Sequence, residues 1–187
     1  MPVVVGESVN CEESEMKLGA LVLFGSMVVA SAASAQGVND AQIAAIVVTA
    51  NQVDIDAGKL AASMGSTPEV KKFGEQMVKD HTGVNRSAVD LVTKLMVTPE
   101  DNPTAMSLKK GGAENVANLK MLKGKTFDKA YVDHEVAYHE QVIDALDKTL
   151  IPGASNAELK ALLVKVRPAF LGHLAHAKHL QSTMATN

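Results

Sequence analysis

Four long segments of this chain repeat apolar residues at the spacing of one helix face, and each interrupts its own stripe with a proton-carrying group. At about 100° per residue, Ile43, Val47, Ala50, Ala57 and Ala61 share a face with Asp54 in its middle. Val70, Met77, Val84, Ala88, Leu91 and Leu95 share a second face, with His81 close to its centre. Phe127, Tyr131, Tyr138, Val142 and Leu146 mark a third; Glu135 falls within it, His139 on one flank and His134 on the other. Leu159, Leu163, Val166, Phe170, Leu174 and Ala177 define a fourth, which contains His173. Strand-like alternation is absent, and Ala, Leu, Lys, Glu and Met dominate, which favours helix. A chain patterned this way buries four stripes against one another as an all-α four-helix bundle.

Punctuation residues set the expected boundaries. The first helix spans about 40–64, capped by Asn39 and stopped by Gly65. The second starts at Thr67-Pro68-Glu69 and runs to about residue 97. A short, weaker helix over 104–122, interrupted at Gly111-Gly112, lies in the long crossover. The third long helix covers about 126–150 and breaks at Ile151-Pro152-Gly153. Ser155 caps the fourth, with Glu158 completing a capping box, and Pro168 kinks it ahead of His173. Short links within each pair imply two antiparallel hairpins, an up-down bundle with an additional helix between them.

Inward polar groups left unpaired cost several kcal/mol each, so those on the four stripes must meet partners. Imidazole and carboxylate from facing helices are what a metal site in a bundle core uses. Asp54, His81, His139 and His173 are the primary candidate ligands, with Glu135, His176 and His134 secondary; zinc, copper, nickel and iron all suit such donors. Counted from the expected helix ends, Glu135 is better levelled with His173 than His139 is. A metal-free buried Asp–His network is the alternative. His179 faces solvent, and the methionines serve as core filler. No phosphate loop, nucleophile elbow or H-E-x-x-H occurs. A di-iron oxidase would use Glu-x-x-His twice, but Val78 and Val136 stand three residues before His81 and His139, which argues against turnover.

Residues 1–35 read as an N-terminal extension and a cleaved leader. Lys17, the apolar run 18–30 and Ala33-Ser34-Ala35 follow the order of a secretory signal, with cleavage expected after Ala35 and Met16 as the expected start. Removing 1–35 takes one of 18 bases and four of 21 acids, so residues 36–187 form a formally neutral domain. Neutrality and the lack of Trp argue against nucleic acid as a partner. Cys11, the only cysteine, is lost with the leader, which excludes a disulfide or thiolate site. No membrane span is expected in the mature chain, and a homo-oligomer is compatible with the sequence.

The segments PEVKKFGEQMVKDHTGVN (68–85), KGKTFDKAYVDHEVAYHE (123–140) and RPAFLGHLAHAKHL (167–180) resemble the bacterial domain of unknown function 4142 family over essentially the whole mature chain. The resemblance implies an exported protein with a ferritin-like helical bundle, of the kind often labelled outer-membrane protein. On that resemblance Asp54 takes the place of an acidic residue usually Glu, and His81, His139 and His173 match the family's histidines, as do Asp80 and Tyr131; Glu135 and His134 are departures. The combined expectation is a periplasmic or outer-membrane-associated bundle that binds a transition metal for binding, storage or stress protection. A structural envelope protein is the alternative.

Overall fold

Asn39 and Thr67 begin the first two helices as their side chains dictate. The computed structural model, which describes residues 37–185, places α1 at Asp40–Met64 and α2 at Pro68–Lys94. The Asn39 side chain accepts from the Gln42 amide and the Gln42 side chain returns the bond, while Thr67 accepts from the Val70 amide. Then follow α3 (Pro103–Met121), α4 (Gly124–Ala145), a π turn at Leu146–Leu150, a short helical turn at Ile151–Gly153, and α5 (Ala157–Ala185). No strand occurs among the described residues. The leader, its cleavage point and the Met16 start lie outside them.

The molecule is an all-α helical bundle. Helix α1 packs on α2, α3 and α4, and α5 packs on α4 and α2. Paired contacts fix the directions. Asn85 on α2 donates to the Val48 carbonyl on α1 near one end, and Gly74 meets Gly58 farther along, so α1 and α2 run antiparallel. Asp133 of α4 with Gln181 of α5, and Asp147 of the following π turn with Arg167 of α5, show the same for α4 and α5. Helix α3 lies outside the four, against α1. No helix among the described residues is long and apolar enough to cross a membrane.

Three boundaries differ from expectation. Helix α3 runs unbroken through Gly111-Gly112, because Gly112 is where it presses on α1: a Cβ there would lie 2.5 Å from Val53 Cγ2. The third long helix leaves α geometry at Ala145, and the chain continues through the π turn to Gly153 rather than ending at residue 150. The last helix is capped by Asn156, not Ser155. Its Oδ1 accepts from the Glu158 and Leu159 amides, while the Asp40 carboxylate takes the Ser155 and Asn156 amides at 2.9 Å each.

The α1–α2 contact depends on missing side chains. A Cβ on Gly74 would sit 2.7 Å from Ala61 Cβ, the Ala62 nitrogen and the Gly58 carbonyl oxygen, two of which are backbone atoms. Gly83, on the same helix, has nothing within 4 Å. In urea denaturation Gly74→Ala therefore destabilises by about 1–3 kcal/mol. Gly83→Ala stabilises by up to about 1 kcal/mol, the helix-propensity gain alone.

Candidate metal centre

The polar residues of the four stripes converge at one level of the bundle. Asp54 on α1, His81 on α2, Glu135 and His139 on α4, and His173 on α5 are all buried. The ring centroids of the three histidines are 5.1–5.7 Å apart. One potential ligand nitrogen from each lies within 4.8 Å of the other two. Asp54 Oδ2 approaches His81 Nε2 to 3.0 Å and His139 Nε2 to 3.5 Å.

The proton positions follow from the surroundings. The Asn51 side-chain amide donates to the Val47 carbonyl at 2.7 Å, which leaves its Oδ1 facing His81 Nδ1 at 2.7 Å. An amide oxygen only accepts, so His81 Nδ1 carries the hydrogen and Nε2 carries a lone pair. His139 Nδ1 likewise donates to the Glu135 carbonyl at 3.0 Å, freeing its Nε2. His173 Nε2 donates to Asp80 Oδ2 at 3.0 Å, freeing its Nδ1. The three freed nitrogens, both Asp54 oxygens and both Glu135 oxygens are buried without a hydrogen bond. The 3.0 Å approach of His81 Nε2 to Asp54 Oδ2 is thus a meeting of two acceptors whenever Asp54 is ionised, and then calls for a proton or a cation between them.

Burial enforces these protonation states. It drives His81 well below the usual imidazole range, with the neighbouring His139 and His173 adding to the effect. Burial takes His139 down to about 4, against the opposing bond to the Glu135 carbonyl. His173 is lowered by burial, with Asp80 opposing. All three rings are therefore neutral at pH 7, the form that ligates metal. Burial raises Asp54 to about 7, partly offset by the neighbouring Glu135 carboxyl. Glu135 lies well above the usual carboxyl range, through burial first and the Asp54 charge second.

Two pairs in this donor set have the spacing of neighbouring ligands on a tetrahedral cation. Ligand bonds of ~2.0–2.1 Å place neighbouring donor atoms roughly 3.3 Å apart, and the 3.0 and 3.5 Å separations around Asp54 Oδ2 bracket that value. Each imidazole is also held from behind by an acceptor, as metal-bound histidines are. Phe170 stacks on His81 with centroids 5.2 Å apart and planes 7° from parallel, closing one side with an apolar ring.

The remaining sequence candidates separate clearly. Glu135 is fully buried and, with Asp54 and His139, forms a second group whose ligand atoms lie within 4.8 Å of one another. His134 is half-buried and stacks on Tyr138 at 5.5 Å, away from the three-histidine group. His176 is half-buried too, its ring centroid 4.8 Å from that of Phe73 and its Nδ1 bonded to Gln76. His179 is exposed. His139 stands level with His173 after all. It lies fourteen residues before Gly153 and His173 sixteen after Ala157, because the π turn prolongs one arm and the later cap shortens the other.

Asn51 is the residue that sequence reasoning passed over. Its signal was present: it sits three residues before Asp54 and four after Val47, on the same stripe. Replacing it by Leu removes the acceptor that fixes His81. Competition with a chromophoric chelator should show zinc affinity falling about 10–100-fold in Asn51→Leu.

No curated protein and no solved structure matches the chain. Residues 26–180 do match the model of a family described as a domain of unknown function (DUF4142), and with that match covering most of its length the chain belongs to that family.

Proposed function

We propose that this is an exported envelope protein that binds one transition metal ion in its bundle core through His81, His139, His173 and Asp54, with Glu135 adjoining. One observation carries the reading. All three histidines have their far nitrogen engaged by an acceptor, so three imidazole lone pairs and a carboxyl group converge with no ring hydrogen between them. A metal-free network has at most the carboxyl protons of Asp54 and Glu135 to share among these atoms and leaves the rest buried and unpaired at several kcal/mol each. Zinc, copper, nickel and iron suit this donor set. The role is metal binding or storage, or protection of the envelope under stress, rather than turnover. Export to the periplasm or outer membrane is supported by Lys17, the apolar run 18–30 and Ala33-Ser34-Ala35.

The test is bound metal per chain after stripping and reloading with each of the four metals. One equivalent is expected in the wild type, and its loss in His81→Ala and His173→Ala. No retained metal, or equal content in both variants, would overturn the reading. Export is checked on the same preparation by N-terminal sequencing from the envelope fraction, with Gln36 expected first.

A further inference from the structure

A cavity of about 210 Å³ adjoins the candidate centre. Asp54, His81 and His139 line one part of its wall. Aliphatic side chains dominate the rest, among them Ile46, Val47, Leu146, Leu150 and Leu163. Thr104 on α3 and Gln141 on α4 also line it and are exposed, so the cavity reaches solvent between those helices. The π turn supplies Leu146 and Leu150 to the wall. Such turns inside helices frequently mark functional sites.

This shape is more than a packing defect. An apolar cavity of about 150 Å³ suffices for a benzene ring, so this one has room for a slightly larger molecule. Its aliphatic wall selects an alkyl chain, and its histidine end selects a single polar head. A charged head is disfavoured because it would shed water in an aliphatic passage. We propose that the cavity binds a neutral aliphatic molecule of about six to eight carbons, its chain among the leucines of the π turn and its terminal hydroxyl or carbonyl oxygen at the His81–His139–Asp54 end. This rests on the metal-binding reading and deepens it, since the oxygen would add a fifth ligand to the ion held by the four side chains.

The experiment titrates 1-hexanol into zinc-loaded protein by calorimetry, with hexanoate as comparator and metal content measured on the same samples. Saturable one-to-one hexanol binding is expected, with hexanoate weaker by about tenfold or more. Ala50→Leu and Ala145→Leu fill the cavity and replace no ligand. Each should weaken hexanol by about tenfold or more while metal content is unchanged. In cobalt-substituted protein, hexanol should shift the visible absorption bands. Metal present without saturable hexanol binding overturns this proposal alone, as does undiminished binding in both variants, a preference for hexanoate, or unmoved cobalt bands. Absence of bound metal overturns the metal-binding reading and this proposal with it.

Discussion

Saturating zinc raises the melting temperature of the metal-stripped protein by about 10 °C. A cation that binds only the folded state at about a thousand times its Kd adds about 4 kcal/mol, and each kcal/mol moves a domain of this size by about 2–4 °C. The folded state is prepared to receive it: seven buried donor atoms of Asp54, His81, Glu135, His139 and His173 lack hydrogen bonds. Asp54→Asn gives the sharper contrast. It keeps the side-chain volume and removes a buried carboxyl whose ionisation burial opposes. At pH 8 the metal-free variant should therefore melt above the metal-free wild type. It should also gain little from zinc, because an amide does not supply the anionic ligand. Melting curves of both proteins with and without zinc test this crossing. Equal zinc shifts in wild type and variant would remove Asp54 from the ligand set.

The sequence made the directions of the inward groups legible and left their support obscure. Asp54, His81 and His173 interrupt apolar stripes, and a wheel suffices to see them. His139 looked doubtful because it lies on the flank of its stripe and because its level was counted from a helix end at residue 150. A π turn is a tertiary accommodation with no signal of its own, and it moved that end to Gly153. The run of α3 through Gly111-Gly112 has the same origin. Glycine weakens a helix in isolation, yet here the absent side chain lets α3 seat on Val53, a contact visible only once both helices are placed. What Asn51 and Asp80 do was hidden for a different reason. Their importance lies in which histidine nitrogen they occupy, and helical periodicity carries no information about ring nitrogens.

Metal and pH act on this centre in opposed senses, and the opposition yields the second large effect. Take the metal-free protein first. Unfolded, Asp54 titrates near 3.8; folded, it titrates at about 7. Its contribution is therefore present at low pH and lost as pH rises through about 7, and Glu135, raised further, is lost at still higher pH. The histidines run the other way. His139 falls from 6.5 to about 4, and His81 and His173 are lowered too, so their contribution is lost as pH falls below 6.5 toward the folded values. Between these windows the unfolded chain has just released its histidine protons and the folded chain still holds its carboxyl protons. Metal-free stability should thus peak near pH 6.5 and decline on both sides. Metal removes the alkaline decline, because the ion favours ionised Asp54 as well as neutral imidazole. Zinc affinity should accordingly rise about tenfold per pH unit up to about pH 7, while ligation must displace the Asp54 proton, and flatten above it. In Asp54→Asn that slope should disappear between pH 5.5 and 7, together with most of the affinity. Chelator competition across that range reads both quantities. A wild-type affinity independent of pH there would show that the Asp54 carboxyl proton is not displaced by the ion.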